Sequence, residues 1–362
     1  MPAPRGRDFE KTRELLAQWL RGRLPAARDL TVSALSGPAA TGFSNDTLLF
    51  DVTYEAGGRR ETRALVCRVE PTGFAVFPTY DVGLQYRVMD ALRTTGVPVP
   101  AMFGLERDPA LLGAPFFVME RVEGRIPSDN PTYHADGWLK EAPPAEQASV
   151  WESGVDVLAA IHRCDPAALG IDFLDAPAPG TDTVQWQLDF WRRYFDWVAK
   201  SRSFPTLEAG WQWLVAHRPA ASQERGLCWG DARIGNMIFR DGRCVAVLDW
   251  EMATLGPATM DLGWFLLLDR HHHEATGMPR LVGLPSRAET IARWERGTGR
   301  RAQDVAYWEA FAAWRFAVIL ARIAAQLDHF ELLPADSTFA QDNTASRLLA
   351  TVMELPPPGA SA

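Results

Sequence analysis

The chain has 362 residues, 47% of them apolar and 23% charged, with a formal net charge of −8. This length suits two lobes with a sizeable core, and the acidic balance excludes the basic face that a nucleic-acid binder needs. The four cysteines (Cys67, Cys164, Cys228, Cys244) lack metal-ligand spacing and the charged start, Met1 to Lys11, lacks an apolar export segment, so a cytoplasmic protein with reduced thiols is expected.

Asp8 stands where it can cap a first helix running to about Leu24, with Phe9, Leu16, Leu20 and Leu24 on one face. Residues 47–54 and 62–70 are rich in β formers and flank Gly57-Gly58, which predicts a hairpin. A helix is expected over 82–94, ended by Val97-Pro98-Val99-Pro100, and then a short buried strand, PFFVME, over 115–120. Residues 125–145 are rich in Pro, Asp and Ala and read as loop or insertion. From there the pattern turns helical: 149–162, then a stripe of Val184, Leu188, Trp191, Phe195 and Val198. A later stripe runs through Trp308, Ala312, Phe316, Ile319, Ile323 and Leu327. The apolar run 310–320 is interrupted by Arg315 and is too short to span a bilayer, so no membrane segment is expected. Two short strands, 237–240 and 244–248, are joined by Asp241-Gly242, a strong hairpin signal. The layout is α+β, with a β-rich first third and an α-rich remainder.

The chemistry concentrates in residues 227–251, LCWGDARIGNMIFRDGRCVAVLDWE. Asp231 and Asn236 are five apart in a polar loop. With the hairpin turning at Asp241-Gly242, Arg240 opposes Arg243, Asn236 falls near Val247, and Asp249 emerges close to Asn236. Phosphoryl transfer wants this set: a carboxylate to orient the attacking hydroxyl, and a carboxylate plus an amide oxygen to hold Mg²⁺ against a triphosphate. Taken singly, each would read as a turn or helix cap. The run His271-His272-His273 reads as solvent-exposed loop rather than a metal site, and His162 and Cys164 follow a helix without an evident nucleophile partner.

This segment resembles the active-site core of the aminoglycoside phosphotransferase and choline kinase-like family, relatives of the protein kinases, in which the loop usually reads H-G-D-x-x-x-x-N and a later strand ends in a metal-binding Asp. Residues 248–262 (LDWEMATLGPATMDL) are most similar to the kinase-like domains found beside acyl-CoA dehydrogenases and to actinobacterial relatives. The resemblance implies a two-lobe, protein-kinase-like fold, with an N-lobe over 1–121, a C-lobe over 122–362 and a cleft between them. It implies that Asp231 is the catalytic carboxylate and that Asn236 and Asp249 are metal ligands. It implies nucleotide contacts from Ser44 and Asn45 in the stretch TGFSN, from Arg68 on a strand, and from Glu120 and Val122 at the hinge. Asp261 is implied as a brace of the catalytic loop. The expected cofactors are Mg²⁺ and ATP or GTP, and the expected partner is a small hydroxyl-bearing acceptor: a hydroxyacyl thioester, an amino alcohol or a sugar, with cationic aminoglycosides not the best substrates.

The sequence departs from that pattern in three places. Trp229 replaces the usual His; Gln85 stands where an acidic partner of Arg68 is usual, with Asp81 one turn earlier; and Pro257 replaces an Asp. These departures define the alternative expectation, a catalytically silent nucleotide-binding or scaffold protein.

Overall fold

The computed structural model describes residues 7–37, 46–174 and 178–359. They form two compact units, one of residues up to 90 together with 100–122, the other of residues 91–99 and those from 123 onward.

The first unit opens with α1 (Phe9–Arg23), capped by Asp8, whose carboxylate accepts the Lys11 N–H at 3.0 Å. Strands β1 (Arg28–Val32), β2 (Asp46–Ala56), β3 (Arg59–Val69), β4 (Met102–Glu106) and β5 (Phe116–Glu120) form one antiparallel sheet in the order β1-β2-β3-β5-β4. The period-two pattern turns Leu48, Phe50 and Val52 of β2 and Leu65, Cys67 and Val69 of β3 into one buried cluster with Leu16, Trp19 and Leu20 of α1. Helix α2 (Val82–Leu92) supplies Tyr86, which meets Phe117 edge-on at 6.4 Å. The edge strands β1 and β4 are absent from the sequence reading because five residues carry too little alternation to register.

The second unit is mainly helical: α3 (Trp138–Glu141), α4 (Pro144–Arg163), α5 (Thr183–Val198), α6 (Pro205–Ala216), α7 (Thr259–Arg270), α8 (Arg287–Thr298), α9 (Val305–His329) and α10 (Thr344–Val352). Helices α7 and α9 pack against each other, α9 also carries α6 and α10, and α8 packs on α4. Helix α9 is long and apolar enough by composition to cross a membrane, yet 61% of its most apolar stretch is buried within the fold. Its first turns are buried on nearly every side, broader than the single stripe expected, because neighbours surround it. Two short ladders are set among the helices: β6 (Gly226–Cys228) with β9 (Thr254–Gly256), and β7 (Met237–Arg240) with β8 (Arg243–Val247).

Candidate functional site

The loop 229–236 leaves β6 and enters β7, so ladders anchor both its ends. Asp261, in the first turn of α7, is fully buried. Its carboxylate accepts the backbone N–H groups of Trp229 and, at 3.0 Å, Gly230. Behind it, His162 Nε2 lies 3.3 Å from Asp261 Oδ2, and the Trp294 indole N–H donates to His162 Nδ1 at 2.8 Å. An indole N–H can only donate, so Nδ1 is the acceptor and Nε2 carries the proton given to Asp261. His162 therefore lies in the last turn of α4 and supports the loop; the residues that engage it are too distant in sequence for any local pattern to reveal them. Trp229 is fully buried, and its indole N–H donates to the carbonyls of Leu248 (2.9 Å) and Asp249 (3.1 Å). Trp229 thus ties the loop to the end of β8. Gly230 has φ +94°, and a Cβ there would run into the Met252 carbonyl, so the turn requires glycine.

Asp231 follows at once. Its Oδ1 accepts the Trp264 indole N–H at 2.9 Å, its Oδ2 accepts Asn236 Nδ2 at 2.6 Å, and Arg233 Nε reaches both oxygens, at 3.2 and 3.0 Å. Commitment of Nδ2 to Asp231 fixes the Asn236 amide, so its oxygen faces away from that carboxylate. The hairpin register differs from the simple expectation. A bulge between Ile238 and Phe239 makes Met237, not Asn236, the partner of Val247, and the Asn236 backbone carbonyl instead accepts the Leu248 N–H at 2.9 Å. The extra residue on β8 shifts every later pair by one, which brings the backbone beside Asn236 to within one residue of Asp249. Asp249 has φ +58°, a left-handed conformation costly for a non-glycine residue.

Arg233 also forms an ion pair with Asp129. Burial pushes the Asp129 carboxyl upward, but the charges of Arg233 and His272 outweigh it and hold its pKa below the usual range. Burial disfavours the Arg233 charge, while Asp129 and Asp231 more than restore it. Gly235 makes this junction feasible: a Cβ there would meet both the Asp129 carboxylate and Arg233 Nη1. The segment carrying Asp129 is itself pinned. Thr132 donates to the His272 carbonyl at 2.9 Å, Tyr133 to Asp269 at 2.9 Å, and His134 Nε2 meets Asp269 at 3.1 Å. The histidine run is therefore not solvated loop. It forms a π-helical turn continuing α7, with His272 buried, because α7 carries it into the packed interior beside Tyr133.

In the first unit, Arg68 pairs with Phe117 across the ladder and donates to Thr47 Oγ1 at 3.2 Å. It lies on the face opposite Leu65, Cys67 and Val69. Gln85 is buried on α2, and Asp81 accepts the Leu84 N–H at 3.0 Å as that helix begins. Glu120 ends β5 half-exposed, 3.5 Å from Arg63, and its N–H donates to the Ala101 carbonyl; Val122 follows Arg121, whose N–H donates to the Ala64 carbonyl. Ser44 and Asn45 lie outside the described residues.

The model of the phosphotransferase enzyme family matches residues 38–314. The chain belongs to that family. It is 31% identical over 252 residues to acyl-CoA dehydrogenase family member 11 of Gallus gallus, covering 69% of this chain and 30% of that protein. It is 28% identical over 300 residues to a probable acyl-CoA dehydrogenase of Arabidopsis thaliana, covering 77% of this chain and 34% of that one. The chain thus spans about a third of the length of these two relatives. Among solved structures, a protein from Ralstonia eutropha JMP134 assigned to the aminoglycoside phosphotransferases is 27% identical, with a TM-score of 0.65 over 94% of this chain and 95% of that one. Aminoglycoside phosphotransferase APH(4)-Ia, solved with ADP and hygromycin B, shares the fold at a TM-score of 0.54 and 16% identity, over 96% of this chain and 99% of that one. The α+β, kinase-like architecture expected from the sequence is the one these structures share.

Proposed function

We propose that this member of the phosphotransferase family moves the γ-phosphate of ATP or GTP onto a small-molecule hydroxyl with the help of Mg²⁺. The observation that carries the reading is the convergence of Asp231, Asn236 and the chain at Asp249 on one rigidly braced loop. Asp231 is the catalytic carboxylate in this reading. Trp264 and Asn236 hold its oxygens, and it receives the acceptor hydroxyl and takes its proton as transfer proceeds. The Asn236 amide oxygen and the Asp249 carboxylate are hard donors that fit Mg²⁺, which commonly takes one or two protein oxygens plus substrate phosphates. When bound, the ion would supply charge neutralisation at the phosphates. Arg68 offers a guanidinium to phosphate from the sheet.

The silent-scaffold alternative rests on Trp229, Gln85 and Pro257; of these, Trp229 is not a lost brace, because its indole anchors the loop to the end of β8. The names of the sequence relatives favour an acyl-linked hydroxyl acceptor over a cationic aminoglycoside. The test is transfer of label from γ-labelled ATP to a panel of hydroxyacyl thioesters, amino alcohols, sugars and kanamycin-type aminoglycosides, with thermal-shift titrations of ATP in Mg²⁺ and in EDTA. Mg²⁺-dependent stabilisation by ATP and transfer to one class are expected. Equal ATP response in EDTA and Mg²⁺, with no transfer to any class, refutes the reading.

A further inference from the structure

Arg315 sits in the middle of α9 at 1% exposure. Its guanidinium lies against three rings: Trp191 at 4.3 Å, Trp264 at 4.6 Å and Phe311 at 5.5 Å. One nitrogen, Nη2, donates to the Gly230 carbonyl at 3.4 Å. The other two, Nε and Nη1, are buried without a hydrogen-bond partner among the described residues. Burial draws its pKa down to about 10, against the nearby Asp261 and Asp231, so it stays charged at neutral pH.

A buried cation with no carboxylate in contact among the described residues is an expensive choice for a helix interior. The rings repay part of that cost, but an apolar side chain would fill the same place without incurring it. A residue that breaks the local packing rule points to a role outside stability. Two of its contacts suggest which. Gly230 is the turn immediately before Asp231. Trp264 is the residue whose indole N–H holds Asp231 Oδ1. A cation on the face of that indole draws electron density from the ring and makes its N–H a stronger donor.

We propose that Arg315 is a positioning residue for phosphoryl transfer: through Gly230 and Trp264 it sets Asp231 in place from behind the loop. The inference rests on the function proposed above for Asp231. Three variants test it: Arg315→Gln and Arg315→Met, which remove the charge, and Arg315→Lys, which keeps it. Turnover per folded molecule, with nucleotide and acceptor saturating, is expected to fall about 10- to 100-fold in the neutral variants, as for a lost supporting contact. Arg315→Lys should recover a large part of the loss. Amide hydrogen exchange on the protein without nucleotide or acceptor should rise at Trp229–Asp231 in the neutral variants and not elsewhere in the second unit. Turnover in Arg315→Gln within about twofold of wild type overturns the proposal whatever happens to stability, because only a structural role would leave chemistry intact. Equal turnover in Arg315→Lys and Arg315→Gln overturns it as well, and that comparison stands even where Arg315→Met does not fold. Where wild type transfers no phosphate, exchange alone decides: a local rise at Trp229–Asp231 supports loop positioning while the function reading fails, and unchanged exchange there sinks the inference.

Discussion

Asp261→Asn changes no volume, so no cavity term enters, and its cost can be worked from hydrogen bonds alone. The carboxylate is fully buried and faces donors on every side: Trp229 N–H, Gly230 N–H and His162 Nε2–H. An amide has one oxygen to accept with, so its NH₂ group must confront at least one of these donors. His162 cannot relieve the clash by moving its proton, because Trp294 donates to Nδ1 and keeps it an acceptor. The loss is one charge-assisted bond and one buried donor left unmade, about 3–5 kcal/mol in total. At this chain size that corresponds to a melting temperature lower by roughly 6–10 °C, at about 2 °C per kcal/mol. The same logic predicts coupling. In Asp261→Asn/Trp294→Phe, His162 is free to carry its proton on Nδ1 and accept from the new amide, so the double variant should be more stable than the sum of the single losses, by about 1 kcal/mol. Differential scanning fluorimetry on the four proteins of the cycle measures both quantities. A melting temperature for Asp261→Asn within about 2 °C of wild type, or strict additivity with Trp294→Phe, would refute the proton assignment in this network.

Neutralising the two candidate site carboxylates should have different consequences: Asp231→Asn keeps Mg·ATP affinity but loses turnover by about 10²- to 10⁴-fold, whereas Asp249→Asn loses both, as calorimetric titration and steady-state kinetics on each variant will read. Gly235→Ala places a methyl group against Asp129 and Arg233; it should cost about 1–3 kcal/mol of stability and, through a displaced Arg233, lower kcat/KM by at least about 10-fold, so unaltered kinetics would mean that Arg233 does not help to place Asp231. Acid should destabilise the second unit well above the range of ordinary carboxylates. Burial, aided by His272, holds the His271 pKa down to about 3, while an unfolded His takes up a proton near pH 6.5. Stability is therefore lost as pH falls from about 6.5 towards 3, by up to about 1.4 kcal/mol per pH unit. Burial raises and His134 and Arg280 lower the Asp269 pKa, to about 2, so its contribution is lost only below about pH 4. Urea midpoints at pH 7 and pH 5 should differ in wild type and differ less in His271→Gln.

Local chemistry was enough to read much of this protein from its sequence. Asp8 caps α1 because a carboxylate before an apolar-periodic run satisfies free N–H groups three residues on. Asp241-Gly242 turns the β7–β8 hairpin because both residues take positive φ with ease or little penalty, and that turn folds the chain back so that Asn236 and Asp249 come to the same end of the hairpin. Each of these signals lies within a few residues of what it organises. The supports of the site do not. Asp261 meets His162 from 99 positions away, Arg233 meets Asp129 from 104, and Trp264 meets Asp231 from 33. None leaves a periodic trace, because a buried hydrogen bond depends on where two elements pack rather than on spacing within either. The β8 bulge, the burial of the histidine run and the caged Arg315 belong to the same class. Sequence determined which residue types gather around the loop 229–236. Only the packing of α4, α7, α8 and α9 decided which of them orient Asp231, since a donor's direction is set by the tertiary neighbours that close around it.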